Sequence, residues 1–147
     1  MAKLGDPTDF SYRVAEVTKI VDGDTIDVII DLGFDIMYRS RVRLFGIDTP
    51  ESRTRNTEEK VRGLLSKNFL KEHLKSSKKI VIKTHKGEET GKFGRILGEI
   101  FIDGININQK MCDKGYAVAY YGQNKQLVES AHEANKQKLI AAGILKS

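Results

Sequence analysis

The sequence predicts a mainly β chain of the α+β class: a five-stranded Greek-key OB-fold barrel with three helices. Three observations carry this expectation. Short segments rich in valine and isoleucine recur five times between turn residues, one helical repeat interrupts them after the third, and two more helical stretches follow the fifth. With 147 residues and 39% hydrophobic content, the chain suits one ordinary core. No internal repeat, low-complexity run or linker divides it. The expected organisation is an N-terminal arm over 1–11 and a single domain over 12–147.

Each element follows from its local pattern. Residues 12–21 and 24–32 cluster or alternate valine and isoleucine on either side of "DGD", which reads as two strands meeting at a tight turn. "MYRSRVRLFGI" supplies a third strand. After Pro50 the period changes: Asn56 with Glu59 resembles a capping box, and Val61, Leu64, Leu65, Phe69 and Leu74 trace one face of a helix ending near Lys75. "KKIVIKTH" and "GRILGEIFID" read as strands four and five, joined by the polar loop "KGEETGK". "NINQKMCDKG" reads as a short helix stopped by Gly115, and 125–142 as a charged amphipathic helix.

Composition narrows the partners. A formal charge of +5 favours polyanions such as nucleic acid. Cys112 is the single cysteine, which excludes an internal disulfide or a cysteine zinc site, and its place on an apolar helix face makes it core filler. No window is long or apolar enough to span a membrane, and "MAKLGDPTDFSYR" lacks the apolar stretch of a leader. The chain as given is therefore expected to be cytoplasmic, or secreted if a leader has been removed. No membrane partner is expected, and the chain should be a monomer.

The charged residues point to chemistry. Asp22 and Asp24 sit in the turn between strands one and two, while Asp48, Thr49 and Glu51 follow strand three. If those strand ends are neighbours, three carboxylates converge and need a cation, and hard oxygen donors suit calcium or magnesium rather than zinc. EF-hand spacing is absent, and His73, His85 and His132 lie at no ligand-like interval. Asp22 is read as an ordinary turn aspartate, Asp24 and Asp48 as ligands. Arg39, Arg41 and Arg43 alternate along strand three and should share one face, opposite Val42 and Leu44. A barrel would bring Arg95, which opens strand five in "KFGR", near Arg43. Barrel salt bridges explain either arginine alone, but two guanidiniums beside a carboxylate-bound cation make a phosphate site.

From about residue 12 to residue 145 the chain resembles the staphylococcal nuclease (thermonuclease) family. The resemblance is carried by "VDGDTI", "RVRLFGIDTPE", "GKFGRILGEIF", "GYAVAY" and "AGIL". It implies an OB-fold barrel with three helices and calcium-dependent hydrolysis of DNA and RNA phosphodiesters. By the same resemblance, Asp24, Asp48 and the Thr49 carbonyl match the calcium ligands. Glu51 matches the residue that orients or deprotonates the attacking water, and Arg43 and Arg95 match the arginines that hold the phosphate. Lys92, Phe93 and Tyr120 fall at substrate-binding positions, with Tyr121 one position away from the same role. The chain departs from the pattern at Phe93, where the family often has tyrosine, and at Gly91, where it often has aspartate. "DLGFDIMYRS" is longer than in the secreted type member, and "SRTRN" is shorter.

The expected function is calcium-dependent cleavage of nucleic acid, DNA or RNA, with single strands preferred. The competing reading is a non-catalytic OB module that binds single strands through a basic face and exposed aromatics. Such a module has no use for Asp24, Asp48 or Glu51.

Overall fold

The computed structural model describes residues 10–85 and 95–146. In chain order its elements are β1 (Phe10–Asp22), β2 (Thr25–Asp31), β3 (Met37–Leu44), β4 (Ile47–Asp48), α1 (Thr57–Lys75), β5 (Ile80–His85), β6 (Arg95–Ile102), β7 (Ile105–Asn106), α2 (Ile107–Asp113), β8 (Val118–Ala119) and α3 (Lys125–Ala141). The five long strands run in the order β3-β2-β1-β5-β6, and a parallel β3–β6 pairing closes them into the expected barrel. That closure sets Arg41 opposite Arg95 and Leu44 opposite Gly98. Closing so few strands demands tight curl. β1 provides it with three register slips against β2, between Val14 and Glu16, Val17 and Lys19, and Ile20 and Asp22.

The core follows from alternation. Ile26, Val28 and Ile30 on β2 and Val42 and Leu44 on β3 are buried, and so are Ile82 and Ile100 on the opposite wall. Leu70 and Leu74 of α1 and Ile107 and Met111 of α2 cap this interior. Asn108 is buried but fully employed: its Oδ1 accepts from Ile100 N at 3.1 Å, and its Nδ2 donates to Phe45 O at 2.9 Å and Gly98 O at 3.2 Å. It ties α2 to the turn beyond β3. Cys112 packs half-buried against the core, and burial pushes its thiol up to about 11.

Four expectations are corrected. Phe10 and Ser11, assigned to an arm, open β1 and pair with Thr84 and Lys83. The third strand stops at Leu44 because Gly46 turns with φ 79°, after which Ile47 and Asp48 form a separate ribbon with β8. The buried face of α1 is Gly63, Ser66, Leu70 and Leu74, whereas Val61 and Leu64 are exposed. Small residues hold this face because the helix lies directly on main chain there. A Cβ on Gly63 would fall 2.3 Å from Glu51 O. The capping box is also half formed: Asn56 Oδ1 accepts from Glu59 N at 3.0 Å, but the Glu59 carboxylate turns away to accept from Glu51 N at 3.1 Å. The "KGEETGK" loop lies outside the described residues, as do Lys92 and Phe93.

Candidate active site

Two reversals of the chain build the site. The β1–β2 turn carries Asp24, whose carbonyl accepts from Leu44 N at 2.8 Å and so fastens the turn to the end of β3. The turn is pressed against α1 and the segment after β4. A Cβ on Gly23 would lie 2.9 Å from Ser66 Cβ and 3.0 Å from Thr49 Oγ1, so only glycine fits unmoved. Asp24 Oδ1 accepts from Thr25 Oγ1 at 3.0 Å, and its Oδ2 accepts from Thr49 N at 3.2 Å. The second reversal, at Gly46, sends β4 back so that Asp48 pairs with Val118 of β8.

Arg43 joins the two aspartates. Its Nη2 lies 3.5 Å from Asp24 Oδ2 and 3.5 Å from Asp48 Oδ1. Its Nη1 donates to Leu44 O and Ile47 O, each at 2.9 Å, so the planar fork is locked from behind by main chain. Arg41 serves elsewhere. It grips Asp27 through two hydrogen bonds of 2.7 and 3.1 Å, and that bond holds the Asp27 carboxyl below its usual range. Of the arginine row on β3, Arg43 alone reaches the two aspartates.

The expected convergence of three carboxylates is therefore a convergence of two. Asp22 has the turn role assigned to it: its Oδ1 accepts from Gly23 N at 3.1 Å and Ser52 N at 3.3 Å. Glu51 is fixed through its backbone by Glu59, while its side chain is exposed and makes no hydrogen bond or ion pair to a described residue. Among the described residues, no three His, Cys, Asp or Glu side chains form a ready-made metal cage.

Arg43, Asp48, Glu51, Arg95 and Tyr120 nonetheless line one cleft of about 1340 Å³. Arg95 enters from the start of β6. Tyr120 is held by its N–H to Gly46 O at 2.8 Å and keeps its ring exposed. Tyr121, beside it, is 79% exposed. Gln123 clips this loop by accepting from Tyr121 N and donating to Ala119 O, both at 2.8 Å.

One cleft residue escapes the sequence reading. His132, on α3, places Nε2 2.8 Å from Asp48 Oδ2. Its spacing of seven from the buried Leu139 puts it on the inward face of α3, a signal available in the sequence. What it faces, 84 positions earlier in the chain, is not.

The donors suit a hard cation. Two carboxylates, Asp24 and Asp48, share the one guanidinium of Arg43, so this cluster of three has a carboxylate in excess. Thr49 Oγ1 beside them is buried with no partner among the described residues, a further hard oxygen with unused capacity. Asp24, Asp48 and Thr49 would hold such an ion. No described helix is long and apolar enough to cross a membrane.

Comparison with known proteins agrees with this geometry. The family described as "Staphylococcal nuclease homologue" matches residues 41–140. The chain is 36% identical over 137 residues to a thermonuclease of Staphylococcus intermedius, an alignment covering 90% of this chain and 77% of that protein. It is 34% identical over 132 residues to an uncharacterized protein of Bacillus anthracis, covering 88% of this chain but 59% of the relative. A prophage-derived endonuclease of Bacillus subtilis is 32% identical over 127 residues, covering 82% of this chain and 41% of its own length. The chain thus spans from under half to about three quarters of these relatives. With a matching family profile over most of its length, and the barrel and cleft in place, the chain belongs to the staphylococcal nuclease family.

Proposed function

We propose that the protein is a calcium-dependent nuclease that hydrolyses phosphodiester bonds of DNA or RNA by attack of water. The observation that carries this reading is the pairing of Asp24 and Asp48 about the locked guanidinium of Arg43, beside a cleft that Arg43 and Asp48 line together with Glu51 and Arg95. When bound there, the cation supplies neutralisation of the phosphate and Lewis acidity toward its oxygens.

The protein's own groups do the rest. Arg43, already held flat by two carbonyls, presents its outer N–H groups to a phosphoryl oxygen, and Arg95 approaches from the next strand. Both offset the charge that builds as phosphorus takes on a fifth oxygen. Glu51, free of side-chain partners among the described residues, orients a water for in-line attack and accepts its proton, while the P–O ester bond opposite the water breaks and the leaving oxygen takes a proton from solvent. The pinning of its main chain keeps the carboxylate at the rim of the cleft. Tyr120 and Tyr121 offer exposed rings on which bases can stack, which supports a preference for single strands, whose bases are accessible. Lys92 and Phe93 are assigned to substrate contact on their positions in the sequence.

Incubating end-labelled single- and double-stranded DNA and RNA with the protein in calcium, magnesium or excess chelator tests the proposal. Calcium should support cleavage, with magnesium a poor substitute because it demands tighter octahedral geometry. Undiminished cleavage in chelator would refute metal assistance. Binding without cleavage under every condition would instead support the OB binding module.

A further inference from the structure

We infer that His132 is the positioning residue for Asp48: its Nε2–H holds one carboxylate oxygen so that the other is presented to the cation. The inference rests on the metal-dependent reading above. Asp48 stands on a strand of two residues, and its side chain is one-third exposed, so β4 alone fixes its carboxylate poorly. The imidazole supplies the missing restraint. Nε2 meets Oδ2 at 2.8 Å, while Oδ1 is the oxygen turned toward Arg43 Nη2, which Asp24 Oδ2 also faces. The two oxygens of Asp48 are thus divided between two tasks.

The ring is itself well placed to impose direction. His132 is 15% exposed, and its Nδ1 is buried without a partner among the described residues. Among the described residues the contact to Asp48 is therefore the one polar bond that orients the imidazole, with Nε2 carrying the proton. α3 is anchored in the two turns that follow the ring. Asn135 Nδ2 donates to Ala117 O at 2.9 Å, Lys138 Nζ donates to Asp113 O at 2.8 Å, and Leu139 is buried in the body of the protein. Partners that hydrogen-bond a ligating carboxylate set its orientation, and losing one typically costs about ten- to a hundredfold in metal affinity or activity. No step of the cleavage requires His132 to touch substrate.

The test is calorimetric titration of calcium into the full chain, comparing the parent with His132→Gln and His132→Leu, each also followed by thermal melting. Glutamine keeps an N–H donor near the Nε2 position, and leucine keeps bulk alone. His132→Leu should bind calcium about tenfold or more weakly, while His132→Gln stays within roughly threefold of the parent. In cleavage assays the leucine variant should recover its kcat when calcium is raised to saturation. Equal calcium affinity for leucine variant and parent would overturn the inference, and so would a glutamine variant as weak as leucine. If the leucine variant does not fold, the ring nitrogen resonances of His132 in the intact protein decide. They should move with the same midpoint as calcium binding, and their failure to move overturns the inference. A parent protein that takes up no calcium is a different result: it removes the metal reading itself, and this inference with it.

Discussion

Gly63→Ala adds one methyl group to the middle of α1, and its consequence can be worked from the contacts. The new carbon would lie 2.3 Å from Glu51 O, 2.4 Å from Glu51 C and 2.6 Å from Ser52 N. Carbon and oxygen rarely approach closer than about 3.3 Å, so helix and loop must separate by roughly 1 Å. The loop cannot yield freely, because Glu59 holds Glu51 N and Asp22 holds Ser52 N. Alanine gains about 1 kcal/mol over glycine as a helix former. Overpacking costs about 1–3 kcal/mol, and rigid main chain places this case at the upper end. The balance is a loss of about 1–2 kcal/mol, or a fall in Tm of roughly 3–8 °C. A displacement of about 1 Å at Glu51 should also slow cleavage by about a hundredfold. Thermal melting and steady-state cleavage on the same preparation read both effects. A variant that melts higher than the parent and cleaves as fast would refute the packing of α1 on the Glu51 backbone.

Three further outcomes follow from individual contacts. Arg43→Lys should lower kcat by about a hundredfold or more, since a compact ammonium lacks the planar fork that bonds Leu44 O and Ile47 O with one nitrogen and leaves another for a phosphate; a normal kcat would make Arg43 a mere structural tie. Arg41→Ala should cost under about 1 kcal/mol at neutral pH in a denaturant melt, because the pair with Asp27 is partly solvated. Asp27 titrates below its ordinary 3.8 when folded, so its contribution is present above that pH and lost below it, and parent and variant should converge in acid. Cys112, with its thiol near 11 rather than 9.0, should react with iodoacetamide at pH 8 roughly a hundredfold more slowly in the folded protein than after denaturation.

The elements were legible where one physical signal dominated. Alternation marked β2, since Ile26, Val28 and Ile30 each point inward. A cap marked α1, which Asn56 starts and Lys75 ends as expected, and amphipathic patterning placed α3 within a residue at each end. The buried face of α1 was misread because hydrophobicity was taken as the sign of contact, whereas the closest approach uses Gly63 and Ser66. Residue type and expected strand ends picked out Asp24, Asp48, Arg43 and Arg95, and the family resemblance added Tyr120; all lie at the two adjoining reversals or the cleft beside them. The convergence of a third carboxylate did not follow, because the Glu51 main chain is pulled toward Glu59 and α1. His132 was passed over as a residue without a ligand interval. Its partner is supplied by tertiary packing of α3 against β4 and β8, a relation that local spacing does not encode.

In the proposed mechanism Glu51 acts on water, Arg43 and Arg95 hold the phosphate, and Asp24 and Asp48 hold the cation. The most direct measurement is kcat of Glu51→Gln beside the parent, on end-labelled single-stranded DNA at saturating calcium, with Tm recorded for both. The glutamine variant should lose about two or more orders of magnitude in kcat. Its Tm should not change, because the Glu51 carboxylate bonds to no described residue. A Glu51→Gln protein that cleaves at the parent's rate would contradict the account.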